Sequence, residues 1–237
     1  MLMNILSERS DYRDALIMLG YTYIQLNNYL LAQDHLLRAY DLDTSKPETQ
    51  FLLGIAYDEL KDKSRALEFY QLSLKNGYVP RIHVLQKVID LSVHFGYYQE
   101  AYVLYQELLK ESAPSPDLFI QPIWIALSKL QDLEKAYEMA DWAEKLFPQA
   151  AQTYNLKGWI SIEKNELKEA QAYIRQALVL DPQLAAAHYN QGRIFERKHE
   201  KAKSLKSYEK AYQLDKDGGI GNAAMQSYNR LIQQSHD

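Results

Sequence analysis

The sequence predicts an all-α solenoid of stacked helix pairs. Three observations carry that expectation. A small residue returns every 34 or so positions, at Gly20, Gly54, Gly158 and Gly192 on the first helical pattern of a unit, and at Ala32, Ala66, Ala101, Ala136, Ala170 and Ser204 on the second. Apolar residues between these marks keep helical spacing, with a polar turn inside each unit. Glycine and proline are sparse, 9 and 7 in 237 residues, while 47% of the chain is apolar, enough for a continuous core between neighbouring units.

Taken in order, residues 1–12 are expected to form an N-terminal helical segment or cap, with Leu2, Ile5 and Leu6 at helical spacing. The first unit is 13–46, with Leu16, Leu19, Gly20 and Tyr23 on one helix, Ala32, Leu36 and Ala39 on the next, and Asn27-Asn28-Tyr29 as the turn. The second is 47–80. Pro47 suits a helix start, and Asn76-Gly77-Tyr78-Val79-Pro80 is a strong stop. The third, 81–116, is 36 residues long and puts Ile89 or Val88 where glycine stands elsewhere. Its extra length is assigned partly to the turn at Gly96 and partly to Ser112-Ala113-Pro114-Ser115-Pro116, where a bend is expected. In the fourth, 117–150, Trp124 takes the glycine place, and its bulk must separate or reorient the paired helices. The fifth and sixth, 151–184 and 185–218, are regular, and residues 219–234 are expected to form a C-terminal capping helix.

Charge excludes some functions and leaves others open. The net charge of −4 gives no global attraction for nucleic acid. It is unevenly spread: residues 41–62 hold six acidic and two basic groups, and residues 193–216 hold eight basic and four acidic ones. Glu196, Glu200 and Glu209 interleave with the basic residues of the last unit, which favours pairing along the helix over a phosphate-binding patch. Nucleic acid is therefore not the expected partner.

Catalytic chemistry has no foothold. There is no cysteine, hence no disulfide, thiolate nucleophile or cysteine-ligated metal. The glycines recur at an architectural spacing and form no phosphate loop. His83 and His94 stand three helical turns apart, about 16 Å, too far to share one ion. The acidic pairs Glu107/Glu111 and Asp58/Asp62 have the i,i+4 spacing of an ordinary helix surface. No enzyme activity, cofactor or metal is expected. No run of 18 apolar residues exists, and the start MLMNILSERSD lacks the basic region and cleavage site of a signal peptide. A cytoplasmic location is expected, with periplasmic or membrane-associated placement kept open for a chain that is part of a longer protein.

The six units in phase resemble the tetratricopeptide repeat family over roughly residues 13–218. The family asks for a large residue, a small one and an aromatic along the first helix, then alanine, an aromatic and alanine along the second. Here the first small position reads Gly20, Gly54, Ile89, Trp124, Gly158 and Gly192, and the last reads Ala39, Ser73, Leu108, Ala143, Ala177 and Ala211. The resemblance implies a right-handed superhelical α-α solenoid whose first helices line a concave groove that binds a protein or peptide. Carried over position by position, the groove residues are Tyr21, Ile24, Gln25, Phe51, Ile55, Asp58, Gln86, Asp90, Gln121, Ile125, Asn155, Trp159, Ile162, Tyr189, Arg193 and Arg197. The apolar members suit side-chain anchors, the amides suit a ligand backbone, and the two arginines suit an acidic side chain or a terminal carboxylate. The lysine and arginine set with which some members clamp a peptide C-terminus is absent in phase: only Asn155 and Asn190 match separate elements of it. The expected function is a protein-interaction scaffold. A self-assembling or regulatory repeat module of a larger protein is the alternative, with homo-oligomerisation as its signature.

Overall fold

The computed structural model describes residues 11–233, so of the expected N-terminal segment only Asp11 and Tyr12 fall within it. Among the described residues every regular element is helical, and no helix is long and apolar enough to cross a membrane. The chain forms two compact units that divide between Ala113 and Pro114.

The first unit holds three hairpins: α1 (Arg13–Gln25) with α2 (Tyr29–Leu42), α3 (Pro47–Glu59) with α4 (Lys63–Lys75), and α5 (Arg81–Phe95) with α6 (Tyr98–Glu111). The second opens with a 3-10 turn (Pro116–Phe119). It continues through α7 (Ile120–Trp124), a π-helix (Ile125–Leu130) and α8 (Leu133–Leu146). The hairpins α9 (Ala151–Glu163) with α10 (Leu167–Leu180) and α11 (Ala185–Arg197) with α12 (Lys201–Leu214) follow, and α13 (Gly219–Gln233) ends it. Each unit is a short solenoid: helices pack mainly on their hairpin partner and on the next hairpin.

The turns inside the hairpins are built alike. One residue takes the left-handed conformation: Asn27, Lys61, Gly96, Gln131, Asn165 or His199. The next residue's N–H then reaches back over the helix end, as from Asn28 to the Tyr23 carbonyl at 2.8 Å and from Glu200 to Phe195 at 2.9 Å. That closure satisfies carbonyls the helix leaves unpaired. Asn28, Asp62 and Asp132 also cap the following helix, their side chains accepting from Leu31, Arg65 and Lys135 N–H.

Close helix approach explains the small residues. A Cβ added at Gly54 would lie 2.5 Å from the Tyr70 ring, and one at Gly192 would lie 2.6 Å from the Tyr208 ring. The facing side chain stands sixteen residues after the glycine in each case, as it does for Leu36 at Gly20 and Ile174 at Gly158. The same step from Trp124 lands on Ala140, which is fully buried. Large and small have exchanged sides there, and Trp124 is only half-buried. The local irregularity expected at Trp124 takes the form of a changed helix type: α7 stops after five residues and a π-helix follows. The Asp132 N–H reaches the Ala126 carbonyl (2.9 Å), one residue further back than the matching bonds elsewhere.

One expectation is corrected. The extra length of the third unit does not lie in its internal turn, which leaves only Gly96 and Tyr97 outside α5 and α6. It lies partly in α5, which is 15 residues long where α1, α3, α9 and α11 have 13.

Cores run between the helix layers. In the first unit, Leu16, Leu36, Leu53, Tyr70, Leu85, Ile89 and Tyr102 are buried almost completely. Phe119, Ile123, Met139, Leu156, Ile160, Ile174 and Tyr208 play that part in the second. The last hairpin's apolar face does not end in solvent: Ala224 and Leu231 of α13 join Tyr208 and Ala211, flanked by Tyr189, Leu205, Tyr212 and Tyr228.

Candidate functional site

First helices lie beside one another within each unit. In the first unit α1 touches α3; in the second α9 touches α11, which touches α13. Their shared faces are the candidate binding surfaces, and the two units present different chemistry.

On the first unit, Tyr21 is exposed and Phe51 and Ile55 are half-buried, one turn apart on α3. Phe51 stacks on Tyr78 with ring centroids 4.3 Å apart and leans on Tyr70 at 5.7 Å, so part of its area is committed to packing. Asp58 pairs with Lys87 at 3.5 Å. Gln86 and Asp90 are exposed and bonded to each other (3.1 Å). Glu107 and Glu111, read as ordinary surface acids, both hold Arg81, at 2.6 and 2.8 Å.

On the second unit, Gln121 is exposed on α7. Four groove assignments need correction. Ile125 is fully buried at the start of the π-helix, because α7 is too short to cover the core alone and Ile125 packs inward with Ile123 and Ala126. Ile24 and Ile162 are buried in the same way, at the level where their helices pack. Asn155 is also buried: its oxygen accepts from Asn190 (2.9 Å) and its amide donates to Gln152 (3.4 Å), so it holds neighbouring helices together and does not face a ligand.

The remaining assigned residues of this unit meet in one place. Trp159 donates its indole N–H to Glu163 at 3.0 Å. Arg193 reaches the same carboxylate at 2.7 Å and Arg197 reaches it at 3.4 Å, while Arg197 also donates to the Ile162 carbonyl. Beyond α11, Glu196 accepts from Arg230 at 2.6 Å and from the Tyr208 hydroxyl at 2.6 Å. Between these clusters lies an open cavity of about 530 Å³ lined by Tyr189, Arg193, Glu196, Arg197, Tyr208, Ser227 and Arg230.

The electrostatics follow from the geometry. Burial pushes the Glu163 carboxyl up, but the Arg193 charge and hydrogen bond, the Trp159 indole and Arg197 outweigh it, and its pKa is lowered. Glu163 thus stays ionised between its two arginines. Burial first, and then the bond to Glu196, hold the Tyr208 phenol well above its ordinary value. Planar guanidinium forks fit carboxylates by geometry as well as charge. Among the described residues, no group of three or more His, Asp or Glu side chains is placed to hold a metal ion.

Sequence reasoning missed Glu163, Glu196, Tyr208, Ser227 and Arg230. The period itself carried a signal: Glu163 and Arg197 are 34 residues apart, as are Glu196 and Arg230. Each pair occupies one repeat position on successive first helices. Arg230 lies on α13, whose sequence signals a cap and carries no mark of a further first helix.

A family model described as tetratricopeptide repeat matches residues 17–77, 125–185 and 162–219. No curated protein matches the chain. Similar solved structures share its fold at low identity. The C-terminal part of a tetratricopeptide repeat-containing protein from Cytophaga hutchinsonii is 13% identical, with 94% of this chain and 91% of that one covered and a TM-score of 0.65. PilF of Pseudomonas aeruginosa is 18% identical, with 93% and 99% covered and a TM-score of 0.51. YrrB, a repeat protein with an unusual peptide-binding site, is 16% identical, with 95% and 97% covered and a TM-score of 0.51.

Proposed function

Because the chain belongs to the tetratricopeptide repeat family, we propose that it is a non-catalytic scaffold that binds a peptide or helical segment of another protein along its first helices. The observation that carries this reading is the row α9, α11 and α13. It leaves an open cavity of about 530 Å³ bordered by tyrosine and arginine, the residue types enriched where binding energy concentrates. Trp159, half-buried and anchored through its indole N–H, adds a rigid aromatic surface next to it. The peptide-binding site of YrrB supports the same assignment by likeness of fold.

The first unit by itself offers a surface of Tyr21, Phe51 and Ile55, suited to apolar side chains of a bound segment. The test starts from random peptides displayed against the full chain. A selected peptide is then titrated calorimetrically into the wild type and into Trp159→Ala and Phe51→Ala. Loss of a buried aromatic anchor is expected to weaken binding about tenfold or more in at least one variant. Unchanged affinity in both would remove the groove from the account.

A further inference from the structure

We propose that the outer side of the first hairpin is an interface for a second copy of this chain, paired two-fold, first hairpin to first hairpin. Among the described residues, α1, α2 and the turn between them expose six large apolar side chains, Met18, Tyr21, Leu26, Leu30, Leu31 and Leu42, and no later hairpin exposes more than two. Single exposed residues of this kind need no partner, whereas a concentrated patch marks an interaction surface.

The repeat shows which side the patch occupies. Thr22 holds the place of Ala56, Leu91, Ala126, Ile160 and Ile194 on the later first helices. All five are buried, and Ile194 shares a core with Ile162, Ala170 and Ile174 of the hairpin before it. Thr22 is exposed, as are Met18 one turn before it and Leu26 one turn after it. On α2, Tyr40 meets Phe69 of the next hairpin with ring centroids 5.4 Å apart. Leu31 precedes Tyr40 by two and a half turns, so it lies on the opposite side of α2, and Leu42 repeats the place of Leu31 three turns on. Leu31 also stands where the later hairpins carry a charge: Arg65, Glu100, Lys135, Glu169 and Lys203. The side that elsewhere receives a preceding hairpin is thus open here and aliphatic.

A second copy is the occupant that fits. Asp34 and Arg38, one turn apart on α2 beside Leu31, give the face one charge of each sign, so a two-fold axis between them sets the acid of one copy against the arginine of the other. Met18, Leu26, Leu30, Leu31 and Leu42, each between 41% and 67% exposed, supply on the order of 500 Å² of apolar surface per copy, the apolar share of a standard interface of about 800 Å² per partner. The last helix offers no matching face. On α13, Asn222, Gln226, Asn229 and Gln233 recur at helical spacing and are all exposed, an amide stripe where a stacked hairpin needs apolar contacts. Like therefore pairs with like, and the assembly closes at two copies.

Sedimentation velocity of the full chain, from about 1 to 100 µM, should show a species of twice the 27.6 kDa chain mass growing with concentration. Met18→Glu and Leu31→Glu replace exposed side chains, so the circular dichroism melting curve should keep its shape. Each should raise the dimer dissociation constant about hundredfold, because the substitution enters the interface twice. Asn229→Glu on α13 should leave the dimer unchanged. The proposal is overturned by a chain that stays monomeric, including one that pairs only after residues 1–10 are removed, which would give the face to the chain's own start. It is equally overturned by a dimer indifferent to both glutamates, by growth beyond two copies, or by dissociation in Asn229→Glu. The peptide groove on α9, α11 and α13 stands or falls separately.

Discussion

The two units use one hairpin design and finish it differently. Residues 11–113 carry ten basic and fourteen acidic groups, and residues 114–233 carry sixteen basic and fifteen acidic. On the first unit the candidate surface is Tyr21, Phe51 and Ile55 beside Asp58 and Asp90; on the second it is Trp159 and Tyr189 beside three arginines. The contrast reaches into the core. Tyr70 and Tyr208 fill the same place against Gly54 and Gly192. Four residues after each glycine stands an acid, Asp58 or Glu196. Glu196 accepts the Tyr208 hydroxyl at 2.6 Å, whereas the Tyr70 hydroxyl is buried without a partner and Asp58 turns to Lys87. One methylene separates a closed network from an open one. The repeat conserves packing, while the polar groups on its first helices are free to differ.

That comparison can be broken at several strengths. The largest effect is expected from Gly192→Ile, which drives a side chain into the Tyr208 ring and costs about 3 kcal/mol by overpacking. Urea denaturation followed by circular dichroism checks it, and a cost below about 1 kcal/mol would mean the hairpin tolerates separation. Next come the tyrosines. Tyr208→Phe removes a hydroxyl bonded to the Glu196 side chain and should cost about 1–2 kcal/mol, whereas Tyr70→Phe removes an unpaired buried hydroxyl and should cost nothing or stabilise. Equal losses in the two denaturation curves would erase the distinction between the networks.

The smallest effect is a pH dependence confined to the first unit. His35 is buried, stacks on Tyr23 with centroids 5.4 Å apart and leaves Nδ1 unpaired. Burial lowers its pKa below the ordinary 6.5, with Asp34 opposing and Arg38 assisting. The unfolded chain therefore binds the proton first. Stability from this site is full above pH 6.5 and is lost as pH falls toward the lowered folded value. Protection of α1 and α2 amides against hydrogen exchange, referred to the intrinsic rate at each pH, should fall on acidification in the wild type and less so in His35→Phe. An identical fall in the variant would assign the effect elsewhere.

The period was legible because close approach tolerates only a small residue opposite a large one, and this leaves a mark every 34 or 35 residues. The consequence of Trp124 was legible as a disturbance and not as a π-helix. Helix type there depends on how the ring and its facing Ala140 divide the available space, which is a matter of three-dimensional packing. The candidate site was half legible. Tyr189, Arg193, Arg197 and Trp159 follow from repeat position alone. Asn155 and Ile125 occupy similar positions and are buried, because the neighbouring helix covers one and the core claims the other. Arg230 needed the recognition that α13 continues the row of first helices.

The central claim is that a partner segment lies on that row, and the chain's three tryptophans make the claim directly measurable. Trp159 lies on α9, a first helix, and shares Glu163 with Arg193, whereas Trp142 belongs to α8, a second helix, and packs edge-on against Phe119 with ring centroids 5.9 Å apart. Indole N–H signals of nitrogen-labelled protein, assigned with Trp159→Phe and Trp142→Phe, are followed as a selected peptide is titrated in. The Trp159 signal should shift saturably while that of Trp142 stays in place; a shift of Trp142 with Trp159 unmoved would put the partner on the opposite face and contradict the account.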